Sequence, residues 1–395
     1  MQLLLLLACS TLSAALPQSS KDRGVWWTPD STDGTDKLYL QGLGKLALDG
    51  LSDFKSLASG SCNLVTAKKR REWHTLSKND KKAYISAVKC LMEKPSRMGS
   101  AAPGAKSRYD DFVAVHIQNT LSIHGTGNFL SWHRYFLWAY ENALQNECGY
   151  KDNHPYLNWG KLASSPLKSP LFDGTDTSIG GDGAYKEHAG AQIPSPAVPF
   201  INLPHGSGGD CITSGPFKDM EVRLGPLAPY LSYVSSNPSP DGLGSNPRCL
   251  RRDVNSFVAA TALHDQNSTD LIAKSADILS FQNNLQGDFP SGLIGVHTAG
   301  HFLVGGDPGG DLFASPGDPY FFLHHGQIDR TWWIWQNQDL AKRERALAGT
   351  LTLFNSPPSR DTALTDEIDL GVLAPTVQIG DVMSTTKGAL CYIYV

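Results

Sequence analysis

Seven of the twelve histidines fall into two aromatic-rich clusters, and neutral imidazole is the commonest metal ligand among side chains. The first cluster is His116, His124 and His133 in RYDDFVAVHIQNTLSIHGTGNFLSWHRYFLWAYENAL. His116 shares a helix face with Phe112 and Thr120 at four-residue spacing, and His133 opens the next helix beside Phe136 and Leu137. His124 sits in the Gly-rich connection between them, where the chain can turn a third imidazole toward the same point. The second cluster is His297 and His301 in HTAGH, followed by His324 and His325 in DPYFFLHHGQIDRTWWIW. Positions i and i+4 lie on one helix face, so His297 and His301 can bind one ion, and a third imidazole from a facing helix completes the set.

A lone histidine on an apolar face is usually a hydrogen-bonded core residue. Two triads flanked by Phe, Tyr and Trp describe instead two three-coordinate sites built only from imidazole. Such a donor set suits copper, zinc, iron or nickel and does not suit magnesium or calcium. A zinc protease of the HExxH type needs Glu after the first histidine, and here that residue is Thr298. A di-iron carboxylate site needs Glu-x-x-His pairs, and neither Glu141 nor Glu147 has a histidine three residues later. Copper remains.

Helix-period patterns that could carry these residues run at about 66–94, 108–121, 130–147, 250–264, 269–286, 291–303 and 320–339. The largest connection, from Gly149 to Pro247, is dense in Gly, Pro, Ser and Asp and reads as irregular loop. Strand signals are short: TLTLF near 350 and the terminal LCYIYV. No repeat or linker divides the chain. With 38 Gly and 24 Pro, the expectation is one mainly α domain, a four-helix core with long irregular loops and short peripheral strands. A formal charge of −4 and 41% hydrophobic residues argue against a nucleic-acid partner and against disorder.

The opening MQLLLLLACSTLSAAL reads as a secretory leader cleaved after Ala15, since its apolar run is too short to span a membrane. Removing it removes Cys9 and leaves Cys62, Cys90, Cys148, Cys211, Cys249 and Cys391. An even number in an oxidising compartment predicts three disulfides, among roughly 15 possible pairings. The sequon at Asn267 is consistent with secretion. The basic run Lys68-Lys69-Arg70-Arg71 reads as a solvated helix face.

HGTGNFLSWHRYF, and HTAGH followed by DPYFFLHHGQIDRTWW, resemble the two copper signatures of the tyrosinase, catechol oxidase and molluscan haemocyanin superfamily. The likeness runs from the Cys62 to Cys90 region through CGY, GPF and NPRCLRRD to the terminal YIY, and is strongest to short secreted polyphenol oxidases. It implies a catalytic domain over 16–395, with a copper A region at 109–148 and a copper B region at 291–339. By resemblance His116, His124 and His133 hold copper A, and His297, His301 and His325 hold copper B. His324 then stands beside the ligands, Asp329 either orients a ligand imidazole or pairs with Arg330 or another neighbour, and Phe321 walls the pocket. Leu312 lies near the bulky gate over copper A. His74, His154, His188, His205 and His264 fall outside the motifs and are expected to be structural or at the surface.

The implied activity is oxidation of o-diphenols, and of o-aminophenols, to o-quinones by two copper ions with O2 as co-substrate. A tyrosinase that also hydroxylates monophenols and a haemocyanin-like O2 carrier are the alternatives. A small phenol is the expected partner, with no membrane or nucleic acid, and a monomer or weak oligomer is expected. Two departures stand out. Many relatives tether the second copper A histidine by a thioether, but Ser122 occupies that cysteine position, so packing alone is expected to hold His124. Proficient monophenol hydroxylases often have Asn after the first copper B histidine, where with an upstream carboxylate it orders a proton-accepting water. Here Thr298 stands there, with Gln286 and Asp288 as loose upstream candidates. Only 70 residues follow His325, so a latency plug is not expected.

Overall fold

In the computed structural model, which describes residues 27–52, 62–227, 234–388 and 390–395, local capping trims the helix-period segments. The leader expected over 1–15 lies outside the described residues. A first helix, α1 (Asp33–Ser52), which the sequence reading does not anticipate, packs on α9, described below. Apart from a 3-10 turn at Trp73–Thr75, the 66–94 segment is helical only from Lys78. There Ser77 and Asp80 form a reciprocal capping box that starts α2 (Lys78–Glu93). Ahead of it, Lys68–Arg70 is a strand in parallel register with Tyr392–Tyr394, Lys68 opposite Tyr392 and Arg70 opposite Tyr394. The basic run is therefore not a solvated helix face. Lys68 and Lys69 are exposed, but Arg70 is buried and its guanidinium meets Glu141 at 2.6 Å.

Helices α3 (Arg108–Ile123) and α4 (Phe129–Cys148) lie where the periodicity places them, α3 opened by a Ser107/Asp110 capping box and α4 closed by Gly149 in the left-handed region at φ 70°. The 250–264 segment shortens to α5 (Ser256–Ala262), because Asn255 caps it and the preceding backbone is extended against Cys211 and Pro308. The 269–286 segment splits into α6 (Asp265–Lys274) and α7 (Ile278–Gln286), since Asp277 caps a new start. In the 291–303 segment, α8 (Val296–Val304) begins only after Gly295, at φ 72°. α9 (Tyr320–Gln338) is buried from Tyr320 through Asn337, which accounts for apolar residues on all its faces.

α4 packs on α9 and α2, and α8 packs on α9. With α3 against α4, the helices α3, α4, α8 and α9 make the four-helix core, with α2 packed outside it against α4. The 149–247 connection is not purely loop: it carries short antiparallel pairs, Gly183–Tyr185 with Gly209–Ile212, Ala191–Ser195 with Val198–Leu203, and Glu221–Val222 with Arg248–Cys249. TLTLF is not a strand. It ends in the short turn Leu353–Asn355, in which Phe354 and Asn355 have φ of 50° and 55°. The six cysteines form three disulfides, Cys62–Cys391, Cys90–Cys148 and Cys211–Cys249. No described helix is long and apolar enough to cross a membrane.

Candidate metal centre

Each imidazole of the first triad has its Nδ1 bound to a backbone carbonyl. His116 Nδ1 lies 2.8 Å from the Phe313 carbonyl, His124 Nδ1 2.9 Å from that of Thr120, and His133 Nδ1 2.8 Å from that of Phe129. A carbonyl only accepts, so Nδ1 donates and the neutral ring keeps its lone pair on Nε2. Nε2 of His116 and of His133 is buried with no hydrogen-bond partner. Buried orphans of this kind call for an explanation, and a shared cation supplies one. The Thr120 carbonyl also corrects the expectation that packing alone holds His124.

In the second triad the Nε2 atoms converge: His301 to His297 at 3.2 Å and His325 to His301 at 3.3 Å. Two nitrogens each ~2.0 Å from one ion at a tetrahedral angle would stand roughly 3.3 Å apart, so the spacing fits a common metal. His324 is also within reach, but its Nδ1 accepts a hydrogen bond from Trp159 Nε1 at 3.1 Å. That places its proton on Nε2 and leaves no free lone pair for an ion. The α8 backbone comes close enough to this ring that a Cβ on Gly300 would lie 2.0 Å from His324 Cε1.

Burial pushes all six converging imidazoles below the ordinary histidine value, and for most of them neighbouring imidazoles add to it. His124 falls to about 4 and His301 to about 3, although backbone carbonyls oppose the shift. Neutral rings are the ligating form. The two triads adjoin, with the His133 and His325 rings stacked 4.6 Å apart and His124 and His297 at 5.9 Å. No carboxylate joins either group among the described residues. A third group, Asp210 with Cys211 and Cys249, is closed to metal by the Cys211–Cys249 disulfide.

Residues 106–338 match the tyrosinase family, described as the common central domain of tyrosinase. The chain belongs to the tyrosinase family. It is 41% identical over 330 residues to Tyrosinase P of Aspergillus terreus, covering 82% of this chain and 91% of that one. It is 38% identical over 349 residues to the N-acetyl-6-hydroxytryptophan oxidase ivoB of Emericella nidulans, covering 84% and 93%. A variant polyphenol oxidase from Thermothelomyces thermophila superposes with a TM-score of 0.87 at 42% identity, over 93% of this chain and 98% of that one. This is a dinuclear copper family, and the chain is a copper-dependent oxidoreductase.

Around the tyrosinase-type centre, Phe321 stacks on His325 at 4.0 Å and meets the His116 ring edge-on at 5.4 Å, so its ring lies against both triads. Asp329 does not touch an imidazole. Its carboxylate accepts from Arg134 Nε at 2.6 Å, Tyr392 OH at 2.5 Å, Tyr394 OH at 2.6 Å and Arg70 Nη1 at 3.4 Å. One turn beyond His325 on α9 it faces the C-terminal strand, and two buried guanidiniums claim it. Thr298 donates its hydroxyl to the Gln286 carbonyl at 2.6 Å, so that proton is not free to order a water. The Gln286 side chain in turn accepts from Gly125 N–H at 2.8 Å, which joins the loop after His124 to the start of α8. Leu312 is partly exposed beside Phe313, whose carbonyl orients His116.

Four of the five remaining histidines have structural partners. His154 Nε2 is 2.8 Å from the Phe322 carbonyl, and His74 bonds Glu72 and Ser169. His188 pairs with Asp253, His205 bonds the Gly206 carbonyl, and His264 precedes α6. The sequence reading missed Trp159, Gly300 and the Phe313 carbonyl, none of which carries a local signature. A small residue inside HTAGH was the one available hint of a close helix approach.

Proposed function

We propose that the chain is a secreted o-diphenol:O2 oxidoreductase, with a leader at 1–15 and a catalytic domain at 16–395, acting as a monomer or weak oligomer. In this reading His116, His124 and His133 hold one copper, and His297, His301 and His325 hold the other. The observation that carries it is the adjoining pair of buried, neutral imidazole triads, the first oriented by backbone carbonyls and the second with converging Nε2 atoms. When bound, the two coppers supply electron transfer between O2 and a catechol, so that two catechols give two o-quinones while one O2 becomes two waters.

The protein's own groups do the rest. Backbone carbonyls at Thr120, Phe129 and Phe313 fix three ring tautomers, and Trp159 keeps His324 out of the ligand set. Phe321 and its aromatic neighbours exclude water and present a flat apolar wall suited to a phenolic ring. Three disulfides support an extracellular address. The relative named as an oxidase of N-acetyl-6-hydroxytryptophan supports phenolic substrates that carry a second ring, o-aminophenols being a further class.

Monophenol hydroxylation is the second reading, and Thr298 argues for a low rate. Taking the proton of a phenol of pKa ~10 needs an accepting group near the metal, and the Thr298 hydroxyl proton is committed to Gln286. The test is O2 uptake by the copper-loaded protein with catechol and with tyrosine. Rapid uptake with catechol and slow, lagging uptake with tyrosine is expected. Equal rates would overturn the Thr298 argument, and reversible O2 binding without turnover would favour a haemocyanin-like carrier.

A further inference from the structure

We propose that Phe354 is a specificity residue whose exposed ring receives an aromatic substituent of the substrate. The occupant rests on the phenol-oxidase reading above, while the ring's location does not. Phe354 has φ 50° and ψ 31°, the left-handed region that a bulky residue rarely adopts. Asn355 follows at φ 55°, but asparagine tolerates that region and phenylalanine does not.

Backbone hydrogen bonds hold this turn in place. Phe354 N–H donates to the Gly125 carbonyl at 3.1 Å, Asn355 N–H to Thr352 at 2.9 Å and Ser356 N–H to Leu353 at 3.0 Å. Glycine would make the same bonds without strain. The side chain is not explained by core packing either, because Phe354 is 65% exposed. An outlier that neither backbone nor burial accounts for points to a use outside the fold.

The position says which use. A Cβ built on Gly125 would lie 3.0 Å from Cδ1 and from Cε1 of Phe354, so the ring rests on the residue that follows His124. Gly125 N–H is bound to Gln286, which also takes the Thr298 hydroxyl beside His297. The ring thus stands on the loop between α3 and α4, which Gln286 ties to the start of α8, with much of its surface in solvent. Leu121, three residues before His124, and Leu293, four before His297, are also exposed apolar side chains. A phenol whose hydroxyl-bearing ring lies at the metal centre could place a para aryl group against Phe354, in the offset or edge contact that aromatic pairs prefer.

The variants are Phe354→Gly, which keeps the backbone, and Phe354→Tyr, which keeps a ring. Both are compared with the parent as copper-loaded full-length proteins. KM is measured for catechol and for 4-phenylcatechol, and calorimetry measures binding of benzoate and of 4-phenylbenzoate, which are not oxidised. Phe354→Gly is expected to raise KM for 4-phenylcatechol and weaken 4-phenylbenzoate binding by about three- to tenfold. The unsubstituted pair should change less than twofold, the melting temperature should stay at or above the parent's, and Phe354→Tyr should restore discrimination. Equal changes for substituted and unsubstituted ligands, or none, would overturn the proposal. If the parent oxidises neither catechol, the functional reading falls, and the two benzoates still decide the role of Phe354.

Discussion

Asp329→Asn separates two roles for this residue, because it removes a charge while keeping the shape. The carboxylate is buried, which by itself would push its pKa up, but Arg134 and Arg70 outweigh burial and hold it below the ordinary carboxylate value, with Tyr392 and Tyr394 adding hydrogen bonds. Without the charge, Arg70 keeps Glu141, at 2.6 Å. Arg134 keeps only neutral partners, the Gln336 side chain at 3.0 Å and the carbonyls of Val382 and Met383. Removing one member of a buried ion pair costs about 3–5 kcal/mol, because the other charge stays desolvated. In a chain of this size that corresponds to a fall in melting temperature of about 4–6 °C. Copper stoichiometry at 20–25 °C should stay at two per chain, since no ligand imidazole touches Asp329. The assay is calorimetric melting with metal analysis on the same non-reduced sample. A melting temperature within about 1 °C of the parent, together with a tenfold or greater loss of copper affinity, would refute this and restore Asp329 as the orienter of an imidazole.

His301→Ala removes the imidazole whose Nε2 lies 3.2 Å and 3.3 Å from the other two of its triad, so metal analysis should find one copper per chain and oxygen electrodes no turnover. Gly300→Ala places a Cβ 2.0 Å from His324 Cε1, and the displaced ring should lower both melting temperature and copper content, whereas parent-like values would show that α9 can yield. Glu72 gives a pH test: burial would raise its pKa, but His74 and Lys161 bring it down from 4.5 to about 2. A carboxylate depressed in the folded state stabilises above its unfolded value and loses that contribution as pH falls through the folded one. Glu72→Gln should therefore melt below the parent at neutral pH, with the gap closing between pH 4.5 and 2. A gap that widens on acidification would contradict the sign.

What the sequence determined by itself is local. Histidines four apart in HTAGH, the start of α3 at Ser107 and the end of α4 at Gly149 follow from helical periodicity and capping, which act over a few residues. The resemblance carried by the two histidine motifs extended this to the whole ligand set and its metal. The tertiary structure decided the rest, because the partners are far apart along the chain and periodicity does not register them. Cys62 finds Cys391 across 329 residues, and Arg70 leaves its basic run for Glu141, Asp329 and the final strand. Trp159, far from both clusters in sequence, takes the Nδ1 lone pair of His324 with its indole N–H. Of the two roles open to Asp329, orienting an imidazole or pairing with a neighbour, its contacts are of the second kind, with Arg70 and Arg134, because burying two guanidiniums demands an anion.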